Sequence, residues 1–402
     1  MNDTEARGPL AGCRVLELGS LIAGPFCGQL LGDFGAEVIK VEDPATGDPM
    51  RQWGSQAPGG FSLTWPIIAR NKKSITCDLR DVRGQELVRQ LAAQTDVLVE
   101  NFRPGTLERW NLGYEALSSI NPRLVLVRIT GYGQDGPYAE RAGFGSIGEA
   151  MGGIRYTTGN PNRPPSRTGI SLGDSLAGTF AAFGAVMALL NRERSGRGQV
   201  VDSAIYEAVL ALMEALIPEW ELADHRRERT GSVLPGVAPS NVYPTADGAD
   251  ILIAANRDTI FTRLSHVMGR PELATNPRFQ THQARGEHLE ELDKLIEGWT
   301  ATQSSTEILD RLHEAGVPAG RIYTAADMVT DAHFKARNSI VRLLHHSLGE
   351  FPMQNVAPRL SATPGAIRSL GPELGEHNEA IYGQLLGLSP SHREQLVADG
   401  VI

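Results

Sequence analysis

The chain has 402 residues, 41% of them apolar and 21% charged, with a formal net charge of −9; this is enough for two folded domains and a large core. The acidic balance excludes a general nucleic-acid binder, which needs a basic face, but leaves room for local basic pockets around a phosphorylated ligand. Its three cysteines, Cys13, Cys27 and Cys77, are odd in number and lack metal spacing, the pattern of free thiols in a reducing, cytoplasmic compartment.

The first 130 residues alternate between two periodicities. Strands are predicted at Arg14–Leu18, Glu37–Glu42, Ser74–Leu79, Asp96–Glu100 and Leu124–Thr130, with helices at Pro25–Phe34 and Arg83–Ala93 between them. This alternation implies an α/β fold with parallel strands and right-handed crossovers, and functional groups in loops beyond the strands' carboxyl ends. From Gly131 to Gly173 the chain reads as glycine-rich loop with a short helical piece around Ser146–Met151. Helix is predicted from Asp174 to about His225, broken by a turn at Ser195–Gly198, and the Arg-rich patch Asp224–Thr230 suggests a boundary. A strand pair follows around Ala246–Gly248, then helices at Thr259–Met268 and Leu289–Thr300. The proline- and glycine-punctuated tail closes with a helix near Asn378–Leu386. No uninterrupted run of eighteen apolar residues occurs, and the opening MNDTEARGPLAG lacks the apolar core of a signal peptide, so no membrane association is expected.

The most informative stretch is Arg163–Asp174, RPPSRTGISLGD. Two prolines force an extended approach, and the apolar run after Asp174 is helical. Asp174 therefore stands at or near a helix N-terminus, where exposed N–H groups favour a negative charge. Its ordinary reading is an N-cap. The glycine-rich GYGQDG of Gly131–Gly136 matches G-x-G-x-x-G formally, but Pro137 follows and no helix opens there, so a tight turn beside a ligand fits better than a dinucleotide site. Lys40, Arg51, Lys72, Lys73, Arg80, Arg103 and Arg109 lie near predicted strand ends. Taken singly they are surface charges; converging at one sheet edge, they would bind a nucleotide diphosphate or 3′-phosphate. The turn Asn101–Gly105, NFRPG, offers an amide, an aromatic ring and a guanidinium for orienting an adenine-type group. His282, His333, His345 and His346 lie in polar context and read as surface residues, and no H-E-x-x-H or serine-hydrolase pattern is present. Cys27, on an apolar helix face, reads as packing rather than a nucleophile.

Together these segments resemble the class III CoA-transferases, the family of formyl-CoA transferase and carnitine CoA-transferase. The carriers are RVLELG with AGP, GAEVIKVE, NKKSITCDL, the NFRPG turn, GYGQDGPY, Gly169–Asp174, RERSGRGQVVD and PELGEHN, spread over nearly the whole chain in family order. The resemblance implies a Rossmann-like large α/β domain with a smaller inserted α+β domain, divided as 1–225, 226–330 and a returning segment 331–402. It also implies an interlocked, ring-like homodimer. It gives Asp174 the role of nucleophile on an acyl-CoA thioester, with CoA thioesters as substrates and neither a metal nor a permanently bound cofactor. A carboxylate suits that role because the mixed anhydride it forms keeps the thioester's transfer potential, whereas a serine ester would trap the acyl group. Water must be kept out, and backbone N–H groups of glycine turns would serve as oxyanion donors.

Positions matching CoA contacts in the family are Ile22, Ala23, Cys77, Arg80, Asn101, Phe102, Arg103, Arg109, Ala142, Phe144 and Gly145. Ile22 replaces a glutamine of formyl-CoA transferase, Asp43 replaces an arginine, and Ala142, Phe144 and Gly145 replace lysine, tyrosine and an acidic residue, so the pocket differs from one for formate and oxalate. The run from Gly143 to Gly178 looks like members using succinyl-CoA and dicarboxylates such as malate, citramalate, itaconate or mesaconate, with Arg155 and Arg167 as clamps for the distal carboxylate. Alternative readings are an α-methylacyl-CoA racemase of the same fold and a non-catalytic acyl-CoA-binding protein. Racemisation needs a second base, for which the only neighbour in sequence is Glu149. A nucleotide-dependent oxidoreductase is a more distant reading.

Overall fold

A computed structural model describes residues 8–57 and 59–402; the MNDTEAR segment of the opening stretch lies outside them. Two compact units result. One comprises the chain up to Arg155, Thr168–Leu216 and Ala336–Ile402; the other comprises Tyr156–Arg167 and Ile217–Lys335. The division thus falls about ten residues before the predicted Arg-rich boundary, and 156–167 leaves the first unit.

The first unit is built on six parallel strands: β1 (Arg14–Glu17), β2 (Glu37–Glu42), β3 (Lys72–Thr76), β4 (Val97–Glu100), β5 (Val125–Thr130) and β6 (Val200–Ala204). Their order is β3-β2-β1-β4-β5-β6. The chain reverses its winding direction between β1 and β4, which opens a crevice at their carboxyl ends. Val15, Leu16, Val38, Ile39, Val97, Leu98, Val125 and Leu126 are fully buried, as strands covered on both faces require. One face is covered by α1 (Ala23–Asp33) and the long helix Leu172–Ser195; α2 (Val82–Ala92) buries Leu87, Val88 and Leu91 in the cluster on the other face.

Helix α3 (Gly145–Met151) precedes the 24-residue α4 (Leu172–Ser195), and α5 (Ile205–Leu210) follows β6 directly. The inner face of α4 is lined by Ala177, Ala181, Ala185 and Ala188. With no bulk there, backbones meet: a Cβ at Gly178 would fall 2.7 Å from the carbonyl oxygen of Ala23 on α1.

Several sequence expectations need correction. β6 interrupts what was read as continuing helix. β3 begins two residues early and ends at Thr76 rather than Leu79. The tail carries an antiparallel hairpin, Ile340–His345 with Gly349–Gln354, and a final helix Pro390–Ala398, both unanticipated. His345 is buried, and its Nδ1 accepts the N–H groups of Ser347 and Leu348. α4 is long and apolar enough by composition to cross a membrane, although 44% of its apolar window is buried against its own unit.

The second unit holds a three-stranded antiparallel sheet, Ser240–Pro244, Asp250–Ala254 and Ala319–Arg321. Helices Asp258–Val267, Leu289–Thr300 and Ser305–Glu314 pack on it around Tyr243, Phe261, Phe279 and Leu292.

Candidate active site

Asp174 is the third residue of α4, not its N-cap; Ser171 occupies the cap position. The carboxylate lies against Gly145, the first residue of α3, where a Cβ would fall 2.7 Å from the Asp174 carboxyl carbon. Both helices therefore start at one point, and a cavity of about 150 Å³ opens there. Its walls come from the loops after β1 (Ser20–Ala23), β4 (Asn101–Pro104) and β5 (Gly131), with Trp53, Arg141 and Phe144. This is the crevice that the strand order creates.

Among the described residues lining it, Asp174 is the sole carboxylate and no histidine occurs. Glu149, the one neighbour that could have served as a second base, is buried with both oxygens engaged: Gly173 N–H donates to Oε1 at 3.2 Å and Arg155 to Oε2 at 2.8 Å. It does not line the cavity.

The loop after β1 is held from three sides. The Asn101 side chain accepts the Ser20 N–H at 2.9 Å and donates to the Ser20 carbonyl at 2.8 Å. Lys40 Nζ donates to the Gly19 carbonyl, and Asp48 accepts the N–H of Leu21, whose φ is +65°. A leucine in the left-handed region is costly unless its surroundings over-determine it, and these bonds do so. Asn101 thus shapes the cavity mouth through backbone rather than presenting a free amide.

A second cavity, of about 360 Å³, lies beyond the ends of β2 and β3, lined by Asp43, Thr46–Pro49, Cys77–Arg80, Phe102 and Trp110 among others. Phe102 lines both cavities and meets Trp110 edge-on. Arg80 is ion-paired with Asp78 and Asp43, the latter at 3.1 Å. Burial pushes the Cys77 thiol up to about 12, which leaves it without thiolate character near neutrality.

The basic residues near the strand ends divide into two groups. Lys40 pairs with Glu17 and Asp48, Lys72 with Glu17, and Arg51 with Glu42, all inside the unit. These three do not form the expected phosphate cluster; they neutralise buried carboxylates. Burial opposes the charge on Lys40, yet Glu17, Asp48 and Glu42 outweigh it and raise its pKa, whereas burial prevails at Lys72 and lowers it. Lys73, paired with Glu37 at 2.6 Å, and Arg80, Arg103 and Arg109 remain at the surface, with Arg109 donating to Thr106 Oγ1.

Of the other positions read from the sequence, Ile22, Ala23, Asn101, Phe102, Arg103 and Phe144 line the Asp174 cavity, and Cys77, Arg80 and Phe102 line the second. Gly145 touches the carboxylate; Ala142 is exposed and lines neither cavity. Arg155 donates to Glu149. Arg167 is exposed in the second unit. Sequence reasoning missed Trp53, Arg141, Asp48 and Leu21. A lone tryptophan in the glycine-rich stretch 51–60 was an available signal for the first, while the others have none that spacing reveals. Among the described residues no group of three His, Cys, Asp or Glu side chains is placed to hold a metal.

Comparison with known proteins gives this geometry its context. The chain is 61% identical over 394 residues to the "Succinyl-CoA--D-citramalate CoA-transferase" of Chloroflexus aurantiacus, covering 98% of each. It is 42% identical to the beta subunit of that organism's "Succinyl-CoA--L-malate CoA-transferase", covering 100% of both chains. A crystal structure of a CAIB/BAIF family protein from Brucella suis superposes with a TM-score of 0.82 at 37% identity, over 94% of this chain and 100% of the other. The sequence model of CoA-transferase family III matches residues 10–378, a span that includes the parallel sheet, both cavities and Asp174. An enzyme of CoA-transferase family III is therefore what this chain encodes.

Proposed function

We propose that the enzyme moves CoA from succinyl-CoA to a C4–C5 dicarboxylate of the citramalate and malate class, with Asp174 as covalent nucleophile. The observation that carries this reading is a single carboxylate, seated on Gly145 at the switch-point crevice, with no second carboxylate and no histidine among the described residues lining the cavity. The donor and acceptor classes are taken from the printed names of the two relatives.

In the first step an Asp174 oxygen bonds to the thioester carbonyl carbon, the C–S bond breaks, and CoA thiolate leaves a mixed anhydride. The thiolate then attacks the aspartyl carbonyl carbon, releasing succinate and leaving aspartyl-CoA. The acceptor carboxylate attacks that thioester, forming a new anhydride and freeing the thiolate again. Attack of the thiolate on the acceptor's acyl carbon yields the new acyl-CoA and regenerates Asp174. No water, metal or redox change enters the balance, and exclusion of water protects each anhydride. The second cavity, beyond β2 and β3, is assigned to the nucleotide end of CoA, with Phe102 and Arg80 in contact with it.

The working enzyme is proposed to be a cytoplasmic homodimer of interlocked rings, with the smaller unit inserted in the larger. Free Cys13, Cys27 and Cys77 suit the compartment, and the exposed apolar face of α4 suits a second copy.

The test is chromatographic. Succinyl-CoA is incubated with citramalate, malate, itaconate, mesaconate, oxalate or acetate and either wild type or Asp174→Asn. New acyl-CoA from wild type alone is expected with the dicarboxylates. Equal exchange by the variant, or none with any acid, would overturn the proposal.

A further inference from the structure

We propose that Glu149 and Arg155 form a positioning pair that fixes the first turn of α4 and, through it, the Asp174 carboxylate. The proposal rests on the reading of Asp174 as nucleophile and assigns the pair a role in that reaction. The first turn of any helix leaves N–H groups without intrahelical acceptors. In α4 the residue at the cap position, Ser171, makes no side-chain cap bond. The acceptor comes from another helix instead: Glu149 Oε1 takes the Gly173 N–H, one residue before Asp174.

The surroundings make that bond a rigid one. Glu149 is 1% exposed. A Cβ at Gly173 would fall 2.9 Å from the Gly145 carbonyl oxygen and 3.1 Å from Glu149 Cγ, so α3 and the first turn of α4 are in backbone contact. Gly148 gives α3 the same closeness to Ile205 on α5, where an added Cβ would fall 2.8 Å from the Ile205 Cβ. The glycines set how near the helices come, and the Glu149 bond sets the rotation of the turn that carries Asp174.

A buried carboxylate this close to a nucleophilic one needs a counter-charge. Arg155 supplies it, donating to Glu149 Oε2 at 2.8 Å from a partly exposed position. With its guanidinium committed there, Arg155 supports the site from behind rather than gripping the distal carboxylate of a substrate.

Steady-state exchange with succinyl-CoA and the best acceptor acid tests this in four variants. Glu149→Met keeps bulk but offers no acceptor; Glu149→Ala removes both. Glu149→Gln keeps an acceptor for the Gly173 N–H, and Arg155→Ala removes only the counter-charge. Expected is a fall in kcat of about 10- to 100-fold in the Met and Ala variants, with KM for both substrates within about twofold, because misplacing a reacting group by an ångström costs that much. Glu149→Gln should recover to within about threefold of wild type, as its retained acceptor predicts. Unchanged kcat in Glu149→Met would overturn the proposal. So would a rise confined to the acceptor-acid KM in Arg155→Ala, which would make Arg155 a substrate clamp. Hydrogen exchange of the peptide covering 172–176 separates this inference from the transferase reading. If wild type exchanges no CoA, that reading fails, yet amide protection lost in Glu149→Met and kept in Glu149→Gln still supports the pair. Equal protection in the two would overturn it.

Discussion

A methyl group at position 145 has nowhere to go, because the Asp174 carboxylate occupies the space where it would sit. The position is otherwise undemanding: Gly145 opens a helix, and alanine is favoured over glycine in helices by about 1 kcal/mol. Gly145→Ala therefore separates function from folding. Transfer from succinyl-CoA should fall by about 10²-fold, the cost of displacing a reacting group by roughly an ångström, while the melting temperature stays within a few degrees of wild type. A kcat near wild type would mean that the carboxylate need not rest on Gly145. The sequence showed only that an acidic side chain of formyl-CoA transferase is missing here. The physical reason, a glycine vacated for the neighbouring carboxylate, lies 29 residues away in the chain and becomes visible only when α3 and α4 meet.

Among the elements, the parallel strands were the most legible part, since β4 and β5 are near-continuous apolar runs and β1 and β2 carry short β-branched and leucine runs between charges, all of strand length. β6 was not. It is an edge strand of sequence VVDSA with exposed Val200, paired only to β5, and two apolar residues do not distinguish it from the helix before it. Lys40, Lys72 and Arg51 were legible as basic residues but not as internal ones. Glu17, the partner of both lysines, is 23 residues from one and 55 from the other, and it is the β1/β2/β3 register that brings them together. The buried charges of these strands make a testable claim about acid. Burial would raise the pKa of Glu42, but Arg51 at 2.8 Å, Lys40 and the Ser74 hydroxyl prevail, and its carboxyl is held below the ordinary 4.5. A lowered folded-state pKa means that the unfolded chain takes up the proton first. The contribution is thus complete above pH 4.5 and is lost as pH falls from there through the lowered value. Glu42→Gln should cost about 2–4 kcal/mol at pH 7, since it leaves Arg51 and Lys40 under-compensated. Its melting temperature should also decline less steeply than wild type between pH 5 and pH 3.5. Parallel declines in the two proteins would show that Glu42 contributes nothing to acid stability.

At the scale of the whole molecule the unresolved balance is on the outer face of α4. Its inner face is alanine, and Arg192 near its end pairs with Asp96 at 2.9 Å inside the unit, so the helix is anchored to the core of its own unit. Yet Phe180, Phe183, Met187 and Leu190 recur at helical spacing on the opposite side, with Phe183 59% and Leu190 60% exposed. A helix apolar on all sides is stable only where both faces are covered, and a contiguous patch of this kind marks an interaction surface. A second copy of the chain presenting the same stripe would cover it and leave the Arg192–Asp96 pair inside the unit undisturbed. Wild type should therefore sediment as a dimer without detergent. Phe183→Glu combined with Leu190→Glu should shift it to a monomer, because burying two unpaired carboxylates in the interface costs more than the contact returns. CoA exchange measured on the same samples then shows whether each Asp174 cavity works alone. Activity retained by the monomer would confine the dimer to a stabilising role, whereas activity lost with dissociation would make assembly a condition of the site. A wild type that sediments as a monomer would leave the stripe to some other partner and sink the homodimer.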